Sequence, residues 1–263
     1  MSMARILYFS SDKPMRKMKI RPSLIISTYN NTRLLSACLQ SVARQSVLPC
    51  EVLIADDGSG PETRALVDAF RQQAGLPVRH IWQEDKGFRL SAVRNRAIAA
   101  SSGNYIIQIN GDLMLGRHFI EDHLRVARRG SFVCGGRVSV GKTPTRIYFK
   151  RKRKHIPFYA RLLSGGGYRF PALLAWMADH YQPAEPLRLQ GGNMAFWRDD
   201  LLRVNAYNED LSLFGYEERE LAVRLINSGV EQRFLRLGGV CFHLDHPGAP
   251  PPRTLPAGPD GRP

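Results

Sequence analysis

Between residues 22 and 140 the chain repeats one pattern: a short, apolar, β-branched run, then a polar cluster, then a segment whose apolar residues recur at helical spacing. PSLIIST (22–28), CEVLIADD (50–57), PVRHIWQE (77–84), NYIIQIN (104–110) and SFVCGGRVSV (131–140) read as strands. NTRLLSACLQSVARQS (31–46), GPETRALVDAFRQQAG (60–75), RLSAVRNRAIAASSG (89–103) and RHFIEDHLRVARRG (117–130) read as helices. Pro61 falls in the first turn of the second helix, Gly75 lies past its end, and Gly103 stops the third. Strands that are apolar throughout are buried on both faces, and parallel strands need a crossover helix between them. The pattern predicts an α/β fold with a mostly parallel central sheet flanked by helices.

Ligands of such sheets bind beyond the carboxyl ends of the strands. Four strands here end in polar clusters: Thr28-Tyr29-Asn30, Asp56-Asp57-Gly58-Ser59, Glu84-Asp85-Lys86 and Asn110-Gly111-Asp112. One such cluster is ordinary turn chemistry. Four at the same end of a sheet make a site.

The remainder is less regular. LQGGNMAFWRDDLL (189–202) places Asp199 as a helix cap. NEDLSLFGYEERELAVRLINSG (208–229) leads from an acidic cluster into a helix with Leu221, Leu225 and Ile226 on one face, and FLRLGGVCFHLDHP (234–247) reads as a strand ending in His243 and His246. The chain divides into an extension (1–21, with RILYF as a short strand), a first half (22–140), a second half (141–247) and a disordered Pro/Gly-rich tail (248–263).

The net charge of +15 favours an anionic partner. Part of it lies in KTPTRIYFKRKRKHIPFYARLL (142–163), where Lys150 to Lys154 is an unbroken basic run between Tyr148, Phe149 and Phe158, Tyr159. That run reads either as a solvated loop or as a contact with an anionic membrane surface. Nucleic acid ranks third and is not expected as a partner, because no nucleic-acid motif accompanies the run. No stretch approaches the ~18–20 apolar residues of a membrane span, and no signal peptide is evident. The four cysteines lack CxxC spacing, so reduced thiols are expected. Together these predict a cytoplasmic protein, peripheral on the inner face of the cell membrane where the basic run engages lipid.

SLIISTYNN, IADDGSGPET, AVRNRAIAASSGNYIIQINGDLML, GGNMAFWRDDL and FGYEERELAVRLINSG follow one another in this order. Together they resemble the family 2 glycosyltransferases with the GT-A fold, in the branch of bacterial polysaccharide and lipopolysaccharide transferases whose second half is of galactosyltransferase type. The resemblance implies a nucleotide-sugar donor, usually a UDP-sugar, a saccharide or lipid-linked acceptor, a divalent cation (Mn²⁺ or Mg²⁺), and inversion at the anomeric carbon.

It also implies roles for particular residues. Thr28, Tyr29, Asn30 and Asp57 would hold the base and ribose, with Asp56 the second choice for the base. Lys86, Arg89 and Arg94 suit the diphosphate by charge. Asn110-Gly111-Asp112 stands where the family has Asp-x-Asp, so Asp112 is the expected metal carboxylate and Asn110 marks a lost charge. Either His243 or His246 would be a further metal ligand. Glu217-Glu218 stands where relatives have Glu-Asp, which makes Glu218 the expected general base and Glu217 a binder of a sugar hydroxyl. Gly192 and Asn193, with Trp197, would wall the acceptor side. Two other readings stay open: a degenerate sugar-nucleotide binder without turnover, motivated by Asn110 and Glu218, and a basic nucleic-acid-binding protein, motivated by charge alone.

Overall fold

The computed structural model describes residues 19–151, 168–184, 189, 192–211 and 215–246. Strands β1 (Pro22–Thr28), β2 (Glu51–Asp56), β3 (Val78–Trp82) and β4 (Tyr105–Asn110) are mutually parallel, with β1 central between β2 and β4. Three later strands extend the sheet: β6 (Ser131–Gly135), β8 (Asn193–Trp197) and β9 (Glu231–Leu235). The order is β3-β2-β1-β4-β8-β6-β9, and β8 runs antiparallel to both of its neighbours. One sheet therefore takes strands from both sides of residue 140.

Every residue of β1 is buried, as an all-apolar strand requires. Leu24 and Ile26 face one core and Ile25 the other. The first core is closed by α1 (Thr32–Val42), α2 (Pro61–Gln73), α4 (Phe119–Val126) and α6 (Leu174–His180). The second is closed by α3 (Leu90–Ala100), α7 (Arg198–Arg203) and α8 (Glu217–Asn227). A second sheet, in the order β5-β10-β7, joins β5 (Leu113–Leu115), β7 (Val138–Val140) and β10 (Cys241–Leu244). It packs with α1 and α5 (Lys142–Lys150) around Leu34, Met114, Tyr148 and Phe242.

Several local expectations need correction. SFVCGGRVSV is two strands in two different sheets, and so is the segment leading to the histidines. The break falls at Gly136-Arg137 in the first and between Leu235 and Cys241 in the second. The start of the basic stretch is helix α5, with Tyr148 buried against the small sheet, and not a solvated loop. Asp199 is no cap, since Trp197 occupies that position and Asp199 sits in the first turn. Ile226 is exposed, and α8 buries Leu221, Ala222 and Leu225 instead. Helix α3 ends at Ala100, before Gly103. Gly103 is needed because a Cβ there would collide with the Arg21 carbonyl and the Ser23 hydroxyl. RILYF, the tail, most of the basic run, and Phe158 and Tyr159 lie outside the described residues. Among the described residues no helix is long and apolar enough to cross a membrane.

Behind β8 the core holds a polar pair. His123 Nε2 lies 2.9 Å from Asn193 Oδ1, and Asn193 Nδ2 donates to the Gly136 carbonyl at 2.8 Å. Burial pushes the His123 imidazole down to about 4, so it is neutral at pH 7. Its folded pKa lies below the unfolded value, so the unfolded chain takes up the proton first. Stability is therefore lost as pH falls from about 6.5 towards 4. Acidification from pH 7 to 5 is expected to cost about 2 kcal/mol through this group. Urea unfolding at both pH values should show a smaller acid loss in His123→Gln, and equal losses would contradict this assignment.

Candidate active site

The carboxyl ends of β1, β2 and β4 border a cleft of about 620 Å³. Thr28, Tyr29, Asn30, Asp57, Asn110, Gly111, Asp112 and His246 line it, with Phe88 and Leu90 opposite. The strand ends are tied to one another. Gly111 N–H donates to the Ser27 carbonyl at 2.8 Å, Asn30 N–H to Ser59 Oγ at 2.8 Å, and the Tyr29 hydroxyl to Asp85 Oδ2 at 2.9 Å. Gly58 has φ +99°, and a Cβ there would lie 2.6 Å from Asp85 Cα, so only glycine allows β2 and the Asp85 loop to meet.

The adjacent aspartates of β2 have separate fates. Asp56 is fully buried and spends its carboxylate on the turn: it accepts from Ser59 N–H at 2.8 Å and lies 2.7 Å from His80 Nε2. Asp57 lines the cleft and accepts from Gln83 Nε2 at 2.6 Å and Arg89 N–H at 2.9 Å. Burial raises the Asp57 carboxyl above the usual range, against the pull of those hydrogen bonds. Asp57, and not Asp56, faces the cleft.

A second cluster forms where β4 passes into β5. The strand β10 pairs antiparallel with β5, setting His243 opposite Leu113, and the chain then brings His246 back over Asp112. Asp112 Oδ2 lies 3.1 Å from His243 Nε2 and 3.3 Å from His246 Nε2. The three side chains each offer a ligand atom within 4.8 Å of the others. Burial alone would raise the Asp112 carboxyl, but the two imidazoles outweigh it and hold its pKa far below the usual range. Asp112 Oδ1 is buried and has no hydrogen-bond partner. A carboxylate and two imidazoles around an orphaned oxygen fit a divalent cation. Sequence alone left His243 and His246 as alternatives; the fold brings both.

The third cluster lies behind Asn110. Arg94, on α3, is fully buried. Its Nη1 lies 3.2 Å from Glu217 Oε1 and 3.0 Å from Glu218 Oε1, its Nη2 donates to Asn110 Oδ1 at 3.3 Å, and its Nε donates to Ser27 Oγ at 3.1 Å. Its guanidinium also faces the Tyr207 ring at 5.2 Å. Glu217 accepts a further bond from Gly215 N–H at 2.7 Å. Burial first, then the neighbouring Glu218 carboxylate, holds the Glu217 carboxyl well above the usual range, while Arg94 opposes the shift.

Four expected site residues are corrected by these positions. Arg94 is not available to a diphosphate, because its donors are spent on the buried carboxylates. Lys86 is exposed, pairs with Glu84 at 2.8 Å and does not line the cleft. Trp197 is buried at the opposite end of β4, paired with Tyr105, and its indole N–H donates to the Arg128 carbonyl. Asn193 is the core amide bonded to His123, so neither residue walls an acceptor. Gly192 does reach the site: it has φ +89°, and a Cβ there would lie 2.7 Å from Asn110 Cγ. Sequence reasoning missed Ser27, Asn31, Gly87 and Phe88. The last two directly follow the third strand-end cluster, and taking that loop to its end would have found them.

The description "Glycosyl transferase family 2" matches residues 23–178, and "N-terminal domain of galactosyltransferase" matches residues 176–247. Chondroitin synthase of Escherichia coli is 25% identical over 242 residues, which cover 86% of this chain and 35% of that protein. The chain thus spans about a third of the length of that relative. Among solved structures, the mannosyltransferase PcManGT from Pyrobaculum calidifontis, in complex with GDP-Man and Mn²⁺, has a TM-score of 0.61 at 16% identity, covering 87% of this chain and 58% of that one. S. aureus TarS 1–349 in complex with UDP-GlcNAc has a TM-score of 0.62 at 15% identity, covering 88% and 60%. These likenesses show the GT-A fold that the sequence resemblance implied. The family match spans more than half of the chain and takes in the carboxyl ends of β1, β2 and β4, so the chain belongs to glycosyl transferase family 2.

Proposed function

We propose that this chain transfers a sugar from a UDP-sugar to a saccharide or lipid-linked acceptor in bacterial surface-glycan synthesis, with inversion at the anomeric carbon. The observation that carries the reading is Asp112, set between two imidazoles at the edge of a nucleotide-sized cleft with one oxygen unpartnered. Asp57 accepts a hydrogen bond from the base, while Thr28, Tyr29 and Asn30 enclose the nucleoside. Asp112, His243 and His246 hold a divalent cation, and two imidazoles favour Mn²⁺ over Mg²⁺. Bound there, the cation would supply positive charge to the donor diphosphate. Glu218 takes the proton of the acceptor hydroxyl as that oxygen bonds to C1, and the bond from C1 to the diphosphate oxygen breaks on the opposite face. Arg94, 3.0 Å from Glu218 Oε1, aims that carboxylate, so Arg94 is a positioning residue. Membrane contact through the basic stretch is part of the proposal, and strong salt releases a contact of that kind.

The test is turnover of UDP-sugars in the presence of saccharide acceptors, read as UDP release, with the product anomer assigned by NMR. Transfer is expected with Mn²⁺, and EDTA or Asp112→Ala is expected to lower it at least about a hundredfold. Transfer that proceeds equally in EDTA would overturn the metal assignment. Retention of configuration would overturn the direct displacement.

A further inference from the structure

Beside the donor cleft lies a second cavity, of about 300 Å³, between the first turn of α1 and helix α5. Arg33, Lys142, Arg146 and Phe149 line it, and it shares Asn31 and His246 with the donor cleft. Lys142, Thr145, Arg146 and Phe149 recur at i, i+3, i+4 and i+7, so one face of α5 forms this wall. Thr145 is buried and accepts from Asp245 N–H at 3.0 Å, which fixes α5 against the chain that carries His246. The Arg33 guanidinium lies 3.8 Å over the Phe149 ring, an arrangement that holds the arginine in place and leaves its N–H edge free to donate. Among the described residues none of Arg33, Lys142 and Arg146 forms an ion pair. One carboxylate, Asp245, faces the same cavity. Three cations against one carboxylate leave an unbalanced positive site, at the beginning of the basic stretch that the donor chemistry does not use.

We propose that this cavity is a phosphate subsite for the acceptor, in which Arg33, Lys142 and Arg146 hold a phosphate group that the acceptor carries. The proposal rests on the glycosyl-transfer reading for the identity of the molecule that brings the phosphate. Three convergent cations, two of them guanidinium groups, match a phosphate group by charge and by donor geometry. Its border with the donor cleft at His246 places the bound phosphate on the metal side of that cleft. The phosphate can belong to a lipid carrier or to a phosphorylated saccharide, and the chemistry recognised is the same.

The test is calorimetric titration of inorganic phosphate into the full chain, with UDP and Mg²⁺ saturating the donor cleft, in the native protein and in Arg146→Glu and Arg33→Glu. These residues lie on the surface, so the variants are expected to fold. Phosphate is expected to bind the native protein with UDP present, and each charge reversal should weaken it at least about tenfold while UDP affinity stays within about twofold. Equal phosphate binding in native and variant proteins, or none in the native protein, would overturn the subsite. A parallel arm uses phosphatidylcholine vesicles with and without phosphatidic acid. Phosphate-competable, Arg146-dependent vesicle binding supports the subsite with a lipid source. Soluble phosphate binding without vesicle binding supports it with a saccharide source. If UDP fails to bind, the donor reading fails, and the native-against-variant comparison of phosphate still decides the subsite.

Discussion

Glu218→Gln is expected to lower the transfer rate by about a hundred- to ten-thousandfold while leaving nucleotide affinity within about twofold, because a positioned general base contributes about that much. Gln keeps the length of Glu and an oxygen that can accept from Arg94, as Glu218 Oε1 does at 3.0 Å. The fold at the start of α8 therefore survives, and only the capacity to take a proton is removed. Glu217→Gln should behave differently. Glu217 has one oxygen on Arg94 and the other on Gly215 N–H, and burial, then the Glu218 carboxylate beside it, holds its carboxyl above the usual range. An amide imitates a protonated carboxyl, so that variant should retain most of the activity. Comparing kcat and the UDP dissociation constant for the two variants separates the roles. Native kcat in Glu218→Gln would remove Glu218 as the base. A larger loss in Glu217→Gln than in Glu218→Gln would exchange the assignments.

Arg94→Met is expected to cost about 3 kcal/mol or more in stability, the usual result of removing one partner from a buried ion pair. The side chain is fully buried, and it is the cation bonded to Glu217, Glu218, Asn110 and Ser27 at once. Without it the two glutamates must stay protonated or be buried unpaired. Both carboxyls are then pushed above their unfolded values, and the unfolded chain loses its protons first as pH rises. The penalty in the variant should therefore grow from pH 5 to pH 8. Chemical denaturation at the two pH values reads this directly. Two outcomes would show that Arg94 does not balance these carboxylates: a native-like midpoint, or a penalty that shrinks as pH rises.

Much of this was legible in the sequence, for a physical reason. Strands buried on both faces have to be apolar throughout, so β1, β2 and β4 announce themselves, and their polar ends announce the cleft. β8 did not, because NMAFW sits inside a longer mixed segment, and β10 was read as one strand with β9, because register between distant strands leaves no local mark. The pairing of β10 with β5 decided the histidine question, and nothing near His243 or His246 in the chain encodes it. Arg94 misled for a related reason. A guanidinium near a strand end suits a phosphate, but the carboxylates that claim this one lie 123 and 124 residues away, on α8. Trp197 misled because an aromatic residue near glycines resembles a sugar platform, whereas here it closes the far end of the core against Tyr105. Asn110 takes on meaning in place. It accepts from Arg94 without adding a third carboxylate to Glu217 and Glu218, so the missing charge falls on the arginine side of the strand end and Asp112 keeps the metal side.

We propose that the strand-end cleft binds a uridine nucleotide together with a divalent cation held by Asp112, His243 and His246. The most direct measurement is the thermal unfolding midpoint with UDP, GDP, CMP and dTDP, each in Mn²⁺, in Mg²⁺ and in EDTA, for the native chain and for His243→Ala. A ligand near a hundred times its dissociation constant adds ~2.7 kcal/mol, which such a scan resolves readily. UDP is expected to give a shift that is larger in Mn²⁺ than in Mg²⁺, is reduced in EDTA, and loses its metal dependence in His243→Ala. A UDP shift of the same size in EDTA and in His243→Ala, or no shift with any nucleotide, would contradict it.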